Sequence, residues 1–255
     1  MGGVDERLVS LIASGSYEAE QYRVLRHIVE QLHKDAGVRV LGVTSPTVGD
    51  GKTTTSLNLA GSLAQAPDSR VLLIDGDVRR GLTRDRLGLR DAGPGLVEAI
   101  LDESLPLEKV AQYCAPFNLW ALPTRPGAAA PYELLKSPRF GQLVADARDQ
   151  YDYVVVDAPP LIPVPDCRVI AKHVDGFLMI VAAHKTPRRL VEEALDILDP
   201  AKVLGLVFNG DQRPLSGYDY SYHGHSPYVP APSANGHGGW LRAKLGRLGG
   251  AAGGS

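Results

Sequence analysis

The stretch VRVLGVTSPTVGDGKTTTSLNLA, residues 38–60, runs a continuous apolar segment into a glycine-bearing turn and then into Lys-Thr-Thr-Thr at the head of a helical pattern. A strand feeding such a turn aims backbone amides of Gly49, Asp50, Gly51 and Lys52 at an anion on the positive end of the next helix. The two glycines let the backbone close on phosphate oxygens. Lys52 neutralises the β- and γ-phosphates, Thr53 offers its hydroxyl to Mg²⁺, and Thr54 completes the cradle. The stretch reads as a P-loop for ATP and Mg²⁺. Pro46 stands where the strict pattern has its first Gly, at the loop entrance, where a missing N–H matters less. The Lys52 side chain is expected to point into a solvent-filled loop.

Outward from this unit, the same alternation continues. Apolar runs at 38–43, 70–75, 118–123, 151–157, 176–183 and 202–209 alternate with helical patterns at 53–66, 94–101, 131–149, 166–173 and 187–198. Runs that are continuously apolar mark strands buried on both faces, and helices between them mark crossover units. The fold class that follows is α/β: a P-loop NTPase whose mostly parallel sheet is flanked by helices, with ligands bound at the carboxyl ends of the strands. Upstream, residues 16–35 read as a helix with Tyr22, Leu25, Val29 and Leu32 near one face.

The domain plan is an extension over 1–15, a nucleotide-binding domain over 16–211 that begins with the helix 16–35, and a tail over 212–255. The tail holds GYDYSYHGHSPYVP, residues 217–230, with Tyr218, Tyr220, Tyr222 and Tyr228 set among Gly, Ser, His and Pro. Such a composition has too little apolar surface to offset the entropy of ordering it, so the tail is expected to be disordered. Tyrosines there are more useful as chemical targets than as packing. A short basic segment with Arg242, Lys244 and Arg247 reads as a solvated helix rather than a membrane contact.

Composition narrows the function. A chain of 255 residues with net charge −2 gives no general reason to expect nucleic acid as a partner. Cys114 and Cys167 lie far apart, which argues against a disulfide scaffold or zinc site and fits a reducing cytoplasm. No apolar run approaches the ~20 residues of a membrane helix, and the start MGGVDE lacks a signal-peptide pattern.

Two more strand ends are acidic. VLLIDGDVR places Asp75 and Asp77 after the second strand, and YDYVVVDAPP places Asp157 after another. All three should converge on the loop, with Thr53, Asp77 and Asp157 holding Mg²⁺ and Asp75 orienting or deprotonating the acceptor. The Asp75 and Asp77 roles are interchangeable at this stage. Asn209, ending the last strand, is expected to read the adenine.

On these residues the chain resembles the bacterial tyrosine autokinases of capsule and exopolysaccharide synthesis, the BY-kinases. TSPTVGDGKTTT looks like their Walker A, VLLIDGDVR their Walker A′ and YDYVVVDAPP their Walker B, and EQYRVLR matches their Glu-x-x-Arg-x-x-Arg oligomerisation motif as Glu20, Arg23 and Arg26. The resemblance implies a Mg-ATP-dependent kinase that phosphorylates Tyr218, Tyr220, Tyr222 and Tyr228, in trans within a homo-oligomer such as a ring. It also implies a separate membrane activator of the polysaccharide co-polymerase type, a phosphotyrosine phosphatase, and recruitment from the cytoplasm to the inner face of the cell membrane. Two positions depart from the family: Gly81 stands where Pro is usual, and Arg84 where His is usual.

Two alternatives remain. Division-site and partition ATPase switches share the fold but carry a Lys where this chain has Thr47. A non-catalytic ATP-binding scaffold for polysaccharide assembly is separated only by an activity assay.

Overall fold

A computed structural model describes residues 3–89 and 93–211, together with the backbone of 241–244. The four tail tyrosines lie outside the described residues.

Six strands run parallel: β1 (Val40–Thr44), β2 (Val71–Asp75), β4 (Leu119–Leu122), β5 (Tyr153–Asp157), β6 (Gly176–Ala182) and β7 (Val203–Asn209). They coincide with the six expected apolar runs. Two short antiparallel strands, β3 (Gln112–Cys114) and β8 (Leu241–Lys244), border them in the order β3-β4-β2-β5-β1-β6-β7-β8. Residues 241–244 are therefore a strand against β7, not the expected solvated helix. β1, β2 and β6 are buried along their whole length, as runs without alternation require.

On one face pack α5 (Leu96–Leu101), α6 (Leu107–Val110), α7 (Pro131–Lys136), α8 (Pro138–Gln150), α9 (Asp166–Ile170) and α10 (Arg188–Ile197). The other face carries α1 (Val9–Ile12), α2 (Tyr17–Ala36) and α3 (Lys52–Leu63), with α4 (Thr83–Arg86) leading to the buried Leu87. The single helix expected over 131–149 is two. Ser137, held extended at ψ 146 before Pro138, ends α7 and caps α8 by accepting the Phe140 amide. α2 buries Ala19, Tyr22, Leu25 and Val29, with Leu32 partly buried, on the expected face.

Residues before 16 are part of the packing. Leu8 is fully buried, and a Cβ on Gly61 of α3 would lie 2.3 Å from Leu11, so that glycine admits the close approach. Asn58 of α3 accepts the Ser10 amide and donates to the Arg7 and Thr54 carbonyls. Among the described residues no helix is long and apolar enough to cross a membrane.

Candidate active site

Strand order puts the site where β1 stands between β5 and β6, with the P-loop leaving its carboxyl end. Residues 45–51 form that loop. Gly49 and Gly51 have φ of 90° and 101°, the left-handed region where a side chain is strained. A Cβ on Gly51 would also lie 2.0 Å from Asn209 Nδ2.

Asp50 contributes more than an amide. Its carboxylate accepts the Thr47 amide at 2.8 Å, the Thr47 hydroxyl at 3.0 Å and the Thr186 hydroxyl at 2.7 Å, and its carbonyl accepts Asn209 Nδ2 at 3.0 Å. Asn209 and Thr186, from β7 and the turn after β6, thus brace the cradle from the far side. Sequence reasoning assigned neither brace. Thr47, at the place of the partition-type lysine, is spent on folding the loop.

Lys52 is only 5% exposed, which corrects the expectation of a solvent-filled loop. Its Nζ lies 2.7 Å from Asp77 Oδ2 and 3.8 Å from Asp157 Oδ1. Burial opposes its charge, but Asp157 and Asp77 outweigh that and hold the ammonium above its ordinary range. Asp75 and Asp157 sit side by side as register partners of β2 and β5. Asp75 Oδ2 accepts the Thr83 amide at 3.0 Å, and Asp157 Oδ1 accepts the Ser56 hydroxyl at 3.1 Å. Among the described residues, each keeps one buried oxygen without a hydrogen-bond partner, Asp75 Oδ1 and Asp157 Oδ2.

Burial, and next the charge of Asp157, push the Asp75 pKa up to about 7. Burial also raises that of Asp157, against the pull of Lys52. Asp157 and Asp77, which meet at Lys52, with the Thr53 hydroxyl beside Asp157, make a hard oxygen donor set that fits Mg²⁺. No cluster of three or more His, Cys, Asp or Glu among the described residues forms a metal cage alone. Mg²⁺ ordinarily takes only one or two carboxylates and completes its shell with phosphate and water oxygens.

Arg79, two residues past Asp77, grips Asp166 through two bonds of 2.8 and 3.1 Å and ties the loop after β2 to α9. Only its place beside Asp77 could have signalled it. Gly81 adopts φ 57°, and a Cβ there would lie 2.7 Å from the Pro126 nitrogen, so this loop takes a path closed to the family's usual Pro.

The charge trio on α2 divides. Arg23 pairs with Glu20 and donates to the Ser14 carbonyl. Arg26 turns inward, to Glu30 at 2.6 Å and the Ser62 carbonyl of α3 at 3.0 Å. One of the three expected oligomer contacts therefore also joins two helices of the same chain.

Comparisons with known proteins agree with this geometry. A family model described as an AAA domain matches residues 38–172. The tyrosine-protein kinase YwqD of Bacillus subtilis is 30% identical over 87% of this chain and 92% of its own length. The tyrosine-protein kinase wzc of Salmonella typhi is 32% identical over 84% of this chain, which spans 30% of that longer protein. The kinase domain of Escherichia coli tyrosine kinase ETK superposes with a TM-score of 0.76 at 28% identity, covering 87% of each chain. A phosphate cradle faced by carboxylates from two neighbouring strands, in a chain that matches YwqD almost end to end, belongs to the bacterial tyrosine-protein kinase family, the BY-kinases.

Proposed function

We propose that this protein transfers the γ-phosphoryl group of Mg-ATP to tyrosines of its own tail, and that it acts in polysaccharide assembly as relatives such as the succinoglycan biosynthesis transport protein ExoP do by name. The observation that carries the reading is Lys52, buried at the head of α3 and held by Asp77 and Asp157. The amides of Gly49, Asp50, Gly51, Lys52, Thr53 and Thr54 receive the phosphates, and Lys52 exchanges Asp77 for phosphate oxygen. Thr53, Asp77 and Asp157 would hold Mg²⁺, which when bound would supply positive charge to the transferring group.

Asp75 is the acceptor-side carboxylate. Its pKa near 7 lies closer to a phenol's ~10 than an ordinary aspartate's does, which improves proton transfer from the incoming tyrosine. Asn209 reads the adenine on this proposal, with its Nδ2 bracing the Asp50 carbonyl.

Tail tyrosines Tyr218, Tyr220, Tyr222 and Tyr228 are the acceptors, reached in trans within a homo-oligomer to which Glu20, Arg23 and Arg26 contribute. A membrane co-polymerase activator recruits the kinase to the inner face of the membrane, and a phosphatase resets it. Incubating the full chain with Mg-ATP and mapping phosphotyrosine tests the reading. Changing the four tyrosines to Phe should remove most of the label while ATP binding persists. Label retained elsewhere would overturn the tail assignment, and no label on the parent chain would leave the scaffold reading standing.

A further inference from the structure

Every residue of α3 except Thr54 is buried. Thr55 is the first whose amide bonds within the helix, to the Gly51 carbonyl at 2.9 Å, so Thr54 carries the last of the amides left free for an anion. Its hydroxyl accepts Arg86 Nη1 at 2.8 Å. Arg86 is mostly covered, with 17% of its side chain exposed, and lies 3.6 Å from Asp5. The Asp5 amide in turn donates to the Arg86 carbonyl at 2.9 Å. Asp5 also pairs with Arg7 at 2.6 Å, so one carboxylate is shared by two guanidinium groups.

A covered cation at the positive end of a helix is electrostatically unfavourable unless an anion stands there. Asp5 supplies one anion and offsets only part of the cost of burying Arg86; on the reading of this loop as an ATP site, the polyphosphate is the second. The segment that brings Asp5 is anchored independently, by buried Leu8, by Leu11 against Gly61, and by the bonds of Asn58 and Gln65 to its backbone.

We propose that Arg86 is a positioning residue of the phosphate cradle, orienting Thr54 for the nucleotide's phosphates, and that the N-terminal segment sets Arg86 through Asp5. The nucleotide site of this chain thereby includes residues some fifty positions upstream of the P-loop lysine in sequence only by contact, and affinity for phosphate depends on that segment being docked.

The test uses the full chain and measures ATP and ADP dissociation constants, KM, kcat and melting temperature. Arg86→Gln should weaken both nucleotides about tenfold and raise KM alike, with kcat within about threefold, because the interaction serves ground and transition states equally. Arg86→Lys should recover part of the loss by keeping the charge, and Asp5→Asn should weaken binding about threefold in the same direction. A lowered melting temperature with unchanged KM and dissociation constants in Arg86→Gln would overturn the proposal, as would a fall in kcat at constant KM. Should Arg86→Gln fail to fold, Arg86→Lys and Asp5→Asn carry the same comparison. Lys52→Met, run in parallel, separates the two readings: unimpaired tail phosphorylation there refutes the ATP site itself, whereas unimpaired binding in the Arg86 and Asp5 variants alone refutes only their role.

Discussion

The two ends of the sheet treat their aspartates in opposite ways. At the amino-terminal edge, Asp175 accepts the amides of Arg39 and Val40 at 2.8 and 2.9 Å and pairs with Arg148, and Asp152 accepts the Arg70 amide at 2.8 Å. Burial opposes the charge on Asp175, yet Arg148 and the two amides outweigh it and lower its pKa. At the carboxyl-terminal edge, Asp75 and Asp157 are fully buried, each has an oxygen that no described residue hydrogen-bonds, and both pKa values rise. A carboxylate that holds structure has its charge matched by donors and a guanidinium; one that awaits a substrate's cation or proton is matched through one oxygen only. The carboxyl edge is therefore less stable than it would be with other residues, and that deficit is what a Mg-nucleotide complex can relieve.

The largest effect that would break this contrast comes from Lys52, the cation that partly compensates the carboxyl edge. Lys52→Met should lower tail phosphorylation by about 10³-fold or more, since a donor aimed at the transferring group is lost. It should also leave Asp77 and Asp157 buried without their cation. Stability should then fall more steeply with rising pH than in the parent, a trend that thermal melts at pH 5, 7 and 9 would reveal. Full labelling by a monodisperse variant would remove the functional half of the comparison.

Asp75→Asn sharpens it. Phosphorylation should drop about 10²-fold through loss of the proton acceptor. Stability should move the other way. The folded pKa of Asp75 is about 7 against an ordinary 3.8, so the native state binds the extra proton between those values and loses stability as pH rises through that window. Asn carries no such penalty, so the variant should melt at the same or a higher temperature than the parent above pH 7. A clear loss of stability at pH 8 would show that Asp75 is a structural residue like Asp175.

Much of this contrast is visible in the sequence, for a physical reason. Strands buried on both faces are apolar without interruption, so Asp75 and Asp157 stand out as the first charges after such runs, and parallel strands bring them to one edge. Local backbone rules were equally legible at Gly49 and Gly51. The remainder depends on contacts between distant parts of the chain. Ser10 meets Asn58, Asp50 meets Thr186, and Arg79 meets Asp166, and no periodicity encodes such pairs. The buried Lys52 meets Asp77 from the loop after β2 and Asp157 from β5, contacts which a motif does not specify. The split at Ser137 was readable from Pro138, but continuous helical patterning on both sides masked it.

The smallest effect tests the amino edge alone. Asp175→Asn removes a charged acceptor from two amides and from Arg148 while keeping the shape, and should cost about 1–3 kcal/mol. For a domain of this size that is roughly a 2–10 °C drop in melting temperature at pH 7. Because the folded pKa of Asp175 is depressed, its contribution is present above the unfolded pKa of 3.8 and is lost as pH falls through the folded value. Parent and variant should therefore converge in stability as pH falls below about 3.8; the Asp75 pair should diverge with the opposite sign, its variant the more stable, as pH rises from 3.8 to about 7, and hold that difference above it. Tail phosphorylation per folded molecule should not change, since Asp175 lies at the opposite end of the strands from the P-loop. A variant that melts normally but loses phosphorylation would mean that the two edges communicate through β1, whose first residue Asp175 holds and whose last leads into the phosphate cradle.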